Sequence, residues 1–222
     1  MIPVVLFGYR ANYTDMIDTI EDLNDAGGAR YEILGFLVNR PEAQGQTFHG
    51  YPVLGTHGDV PRFPHAFFTT YIGGGVNGYL RRKQELAELG VPPERYLTLV
   101  HPTSYVSRRA RLGRGVFIYQ NCTIANNVTL DDHVLVLPNT VLSHDDAIGD
   151  YSIITGGVAI AGNVTIGSSC YVGTNSSIHH GITIGDGCLI GMGSVVRHDV
   201  PPYHVMVGNP ARVLREVQPP EL

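Results

Sequence analysis

The 222-residue chain has no tryptophan, three cysteines and a charged fraction of only 16%. An odd cysteine count without paired spacing offers no disulfide framework, and the expectation is reduced thiols in a cytoplasm. No stretch reaches the ~18 consecutive apolar residues of a membrane helix. The N-terminal apolar run from Ile2 to Phe7 lacks a basic flank and stops at Gly8, so it does not read as a signal peptide. Basic charge is scarce as well: 15 Lys+Arg against 20 Asp+Glu leave a net charge of −5. That balance excludes a general attraction to phosphate backbones or anionic lipid, so neither nucleic acid nor a membrane is an expected partner. The short basic cluster Arg108, Arg109, Arg111 and Arg114 has no interleaved aromatics and reads as a solvated surface.

What the chain has in excess is glycine, 27 residues of it. Glycine at that density without a disordered composition points to a backbone that turns often, and so to an internal repeat. The repeat is in the second half. From Val106 to Val196 every sixth residue is Ile, Leu or Val, although sixteen arbitrary positions of this composition should hold about four of them. Four residues after each aliphatic stands a second set of small or β-branched residues, such as Val116, Cys122, Val128 and Thr140. Two inward positions flanking one outward position fit the period of a short strand. The other residues of each hexad must turn a corner. Its last position is Gly or Asn in most hexads, among them Gly115, Asn121, Asn127, Gly157 and Asn163, the types that accept positive φ at low cost.

Short strands with a corner every six residues describe a parallel β-helix of eighteen residues per coil, stacked ~4.8 Å apart. Residues eighteen apart then form columns. Cys170 and Cys188 share an inward column and read as buried thiols.

The first half alternates strand and helix: strands at Val4 to Phe7, Glu32 to Val38 and Phe67 to Ile72, a short one within Gly50 to Gly55, and helices at Asn12 to Asn24 and Asn77 to Leu89. This predicts a small, Rossmann-like parallel sheet in an α/β domain over residues 1–100, followed by the β-helix over 101–222 with a short tail. Ligands on such sheets sit beyond the carboxyl ends of the strands, which the turn Gly8-Tyr9-Arg10 would line. One glycine there is no dinucleotide fingerprint, so NAD or FAD is not expected.

The α/β domain, the His101-Pro102 link, the hexad array and the terminal Val207-Gly208-Asn209-Pro210-Ala211-Arg212 together resemble the bacterial hexapeptide-repeat sugar acetyltransferases of the sialic acid O-acetyltransferase type. The nearest group acetylates the amine of nucleotide-linked amino-deoxy sugars. The resemblance implies a left-handed β-helix, acetyl-CoA as donor, no metal, and a homotrimer with active sites between neighbouring β-helices. It further implies a catalytic histidine followed by an acidic residue, matched by His144 and Asp145. Histidine suits that task, because the amine must lose a proton as it attacks the thioester and imidazole exchanges a proton near neutral pH. Gly162, one coil above His144, matches the glycine whose N–H faces the thioester oxygen. Thr174 and Met192 match positions lining the pantetheine, and Arg212 would meet a CoA phosphate. The acceptor would lie against Gly8, Tyr9, Arg10, Asn39 and Arg40. Here the chain departs from the family, which has several glycines and a histidine after the first strand and acidic residues after the second.

The residues also fit other readings. The same histidine serves an O-acetyltransferase acting on a sugar hydroxyl. His144, His180 and His198 share a column, as in the zinc-binding γ-carbonic anhydrases, but two coils separate His144 from His180 by ~9.6 Å, too far for one tetrahedral ion. A non-catalytic trimerisation rod would leave His144 without a role.

Overall fold

The computed structural model describes residues 1–8, 14–71, 75, 76 and 78–218. The N-terminal part is built from β1 (Ile2–Phe7), α1 (Thr14–Asp25), β2 (Tyr31–Leu37), β3 (Thr47–Phe48), β4 (Tyr51–Gly55), β5 (Phe67–Thr70) and α2 (Arg82–Glu88). The sheet order is β3-β4-β2-β1-β5, parallel throughout except for the β3–β4 hairpin. Val4, Val5, Leu6 and Phe7 of β1 are fully buried, as a central parallel strand covered on both faces requires. The third long strand ends at Thr70; Ile72, where the sequence reading ends it, lies outside the described residues. The second helix is a single α-helical stretch from Arg82, preceded by a 3₁₀ turn over Tyr79–Arg81; its expected start at Asn77 lies outside the described residues. Among the described residues no helix is long and apolar enough to cross a membrane.

From β6 (Leu99–Val100) to Val195–Val196 the chain is a stack of two-residue strands in three parallel sheets, each strand pairing with the one eighteen residues away. The first face runs from β6 through Phe117–Ile118 and Leu135–Val136 to His204–Val207, and is closed by the antiparallel strand Arg212–Glu216. The second runs from Tyr105–Val106 through Val141–Leu142 to Val195–Val196, and the third from Arg111–Leu112 to Thr183–Ile184. The hexad aliphatics and the second inward set form one core, Cys122, Cys170 and Cys188 among them as free thiols. Every sixth residue from Gly115 to Gly193 has φ between 52° and 73°, so the corners turn through the left-handed region.

Two of those corners carry bulky residues, His133 and Tyr151, whose left-handed backbone is costly without glycine or asparagine. Packing compensates. The two rings stack with centroids 5.3 Å apart, and Tyr96 packs edge-on against His133 at 4.5 Å. The fully buried Arg82 of α2 donates to the His133 carbonyl oxygen, and burial, with the Arg82 charge beside it, pushes the imidazole down to about 4, so it stays neutral. This corner is a seam between the two parts of the chain. The larger seam is the first face, whose outward column Leu99, Phe117, Leu135 and Ile153 is buried against Met16, Ile17 and Ile20 of α1. The α/β part therefore covers the first face and leaves the corner between the second and third faces free for chemistry.

Candidate active site

That corner recurs as Arg108-Arg109, Asn126-Asn127, His144-Asp145, Gly162-Asn163 and His180-Gly181, one pair per coil. His144 follows the strand Val141–Leu142, and its side chain is half exposed. Its Nδ1 lies 2.8 Å from Asp145 Oδ2. Asp145 occupies the left-handed slot with φ of 62°, which aims its carboxyl back at the preceding ring. Asn127, eighteen residues earlier, donates from Nδ2 to the other carboxylate oxygen at 2.9 Å. That bond first, and the one from His144 second, hold the Asp145 carboxyl below its ordinary range. An ionised carboxylate can only accept, so Nδ1 carries the hydrogen and Nε2 keeps its lone pair for a substrate. Removing the amide donor should loosen this arrangement. In Asn127→Ala we expect the Asp145 carboxyl to titrate at higher pH than in the parent, read by NMR of the labelled carboxyl carbon; an unmoved titration would mean that Asn127 is not what holds it down.

Gly162 lies against the imidazole: a Cβ built there would stand 2.6 Å from both Cε1 and Nε2 of His144. The neighbouring amides of Ala161 and Asn163 are used by the coil, donating to the carbonyls of Ile178 and His144. Among the described residues the Gly162 N–H makes no such ladder bond. A base and a closely packed glycine thus share one small space, an arrangement that suits acyl transfer. On the same corner, toward the N-terminal coils, an open concavity of about 440 Å³ is lined by Tyr105, Ser107, Arg109, Ala125, Asn126 and Asn127.

The other expected residues are distributed elsewhere. Thr174 and the 79%-exposed Met192 stand on the corner between the first and second faces, so one chain does not bring them to His144. Arg212 begins the closing strand and is exposed, its guanidinium donating to the Ala211 carbonyl. Gly8 follows β1 and Asn39 and Arg40 follow β2, so these three share the carboxyl edge of the parallel sheet, the Gly8 amide donating to Leu37 O. Tyr9 and Arg10 lie outside the described residues. Sequence reasoning missed two site residues. Asn127 reads as one more corner asparagine until the eighteen-residue column puts it beneath Asp145. Asp146 is the sole acid in the inward set, and in the linear sequence its aliphatic and small equivalents hide it.

Residues 163–198 match the family described as bacterial transferase hexapeptide (six repeats). No curated protein sequence matches the chain. Among solved structures, a histidine-to-asparagine variant of perosamine N-acetyltransferase from Caulobacter crescentus, in complex with CoA and GDP-perosamine, is 24% identical, with a TM-score of 0.80 over 96% of this chain and 97% of that one. The acetyltransferase domain of PglB from Neisseria gonorrhoeae is also 24% identical, with a TM-score of 0.81 over 96% of this chain and all of that one. WeeI from Acinetobacter baumannii is 23% identical, with a TM-score of 0.80 over the same shares. At that identity the likeness establishes a shared fold along the whole length, α/β part and β-helix together.

Proposed function

We propose that the protein transfers the acetyl group of acetyl-CoA to the amine of an amino-deoxy sugar carried on a nucleotide. The observation that carries this reading is the His144–Asp145–Asn127 relay with Gly162 packed against the imidazole. The solved structures of like fold that hold CoA together with GDP-perosamine support the choice of donor and acceptor class. Acetyl-CoA supplies an activated thioester. As the amine nitrogen bonds to the carbonyl carbon, His144 Nε2 takes the proton that nitrogen sheds, and Asp145 stabilises the resulting imidazolium through Nδ1. The Gly162 N–H donates to the carbonyl oxygen as negative charge gathers there. When the carbon–sulfur bond breaks, the imidazolium returns its proton to the departing thiolate, leaving the base ready for another turnover.

A homotrimer belongs to this proposal, because Thr174 and Met192 stand on the opposite edge of the second face from His144. They could flank the pantetheine only if a neighbouring copy presented that edge to the His144 corner. In the same reading the carboxyl edge bearing Gly8, Asn39 and Arg40 takes the nucleotide, and Arg212 a CoA phosphate. Thiol release from acetyl-CoA, measured against nucleotide-linked amino sugars, free amino sugars and sialic acids, tests the assignment. We expect turnover with the nucleotide-linked amines; turnover with sialic acids alone would make the protein an O-acetyltransferase, and none with any panel would overturn the sugar assignment.

A further inference from the structure

Directly after the His144-Asp145 pair stands a carboxyl that the mechanism above does not use. Asp146 points into the β-helix and is 1% exposed. The equivalent slot one coil below holds Val128 and one coil above Val164, both fully buried, with Ile182 above those. A carboxyl in such a slot costs desolvation that valine does not, so its presence asks for a reason. Its bonds suggest one. Oδ1 accepts the N–H of Val164 at 2.9 Å. Asp146 follows His144 by two residues, and Val164 follows Gly162 by two. One side chain therefore ties the segment carrying the base to the segment carrying the amide donor, across two coils. Its Oδ2 is buried and meets no hydrogen-bond partner among the described residues.

We propose that Asp146 is a positioning residue for acetyl transfer, which staples the His144 turn to the Gly162 turn. This rests on the proposed function for its consequence in rate, but not for the staple itself. Burial, the largest influence, pushes the carboxyl up to about 7. The charged or titratable groups beside it are His144 and Asp145. The corners below and above offer Asn126, Asn127 and Val128, and Gly162, Asn163 and Val164, none of which titrates.

Two substitutions test the staple. Asp146→Val places in the slot the residue that fills it one coil away on either side, so folding is expected to survive. The Val164 amide loses its acceptor, and kcat should fall by on the order of 10- to 100-fold, with the KM for acetyl-CoA little changed, as misplacement of reacting groups predicts. Asp146→Asn keeps one acceptor oxygen and cannot ionise, so it should restore most of the parent kcat. The linkage has a definite sign too. A folded-state carboxyl raised above its unfolded value stabilises at low pH and loses that contribution as pH rises toward about 7, so the parent's thermal midpoint should fall relative to Asp146→Asn over that range. Parent kcat in Asp146→Val, or a loss in Asp146→Asn as large as that in Asp146→Val, would overturn the proposal. A parent protein that acetylates nothing would instead overturn the function, while hydrogen exchange at the Val164 amide, expected to be faster in Asp146→Val than in the parent, would still decide the staple.

Discussion

His144→Ala should lose on the order of 10²- to 10⁴-fold in kcat for acetyl transfer, the span general-base catalysis typically contributes, while CoA affinity shifts by about twofold or less. The asymmetry follows from where the ring sits. Nδ1 is committed to Asp145, and what remains is one lone pair at Nε2, on the side of the ring that Gly162 packs against. A lone pair aimed at a reacting amine matters when the proton moves and contributes little to holding the donor beforehand. Isothermal titration with CoA and single-turnover rates on the same variant separate the two effects. Weak CoA binding with a nearly intact chemical rate would make His144 a ligand contact and not the base. The substitution also discriminates against a purely structural role: His144 is half exposed at a corner, outside the hydrophobic core, so its loss should leave the thermal midpoint nearly unchanged.

The β-helix was legible in the sequence because its rule is local and repeated: an aliphatic every six residues can be counted without knowing which strands pair. The same counting places His144 on one corner and Thr174 with Met192 on another, a separation hidden while the residues are considered only as members of one site. What the count left out depends on neighbours eighteen residues apart. Phe117, Leu135 and Ile153 are ordinary hydrophobics in the linear text, and only their stacking into one outward column marks the face that docks the α/β part. His133 and Tyr151 break the glycine-and-asparagine habit of the corners because ring stacking and the Arg82 contact outweigh a local backbone preference. Asn127 gains its meaning from the carboxylate one coil above it, and Asp146 from an amide on the next coil. In each case a tertiary partner supplied the information, and composition could not.

Gly162→Ala is the sharper test of the site, because here geometry predicts a loss of activity without a loss of fold. Gly162 is not among the positive-φ glycines, so its backbone accepts an L side chain, unlike Gly157 or Gly181, where φ is 70° and 73°. The added methyl would stand 2.6 Å from Cε1 and Nε2 and 3.0 Å from Cδ2 of His144. Those atoms belong to a half-exposed ring that can swing into solvent, so the chain should yield at the side chain and not at the coil, with the thermal midpoint close to that of the parent. The swing breaks the bond to Asp145 and carries Nε2 away from the amide donor. Activity should then fall by roughly 10²- to 10³-fold, comparable to losing an oxyanion donor. A double-mutant cycle makes the argument strict. With the ring already gone, the methyl has nothing to collide with, so Gly162→Ala added to His144→Ala should cost far less than it does in the parent. Independent, multiplicative losses would mean that the glycine acts by something other than the room it leaves for the imidazole.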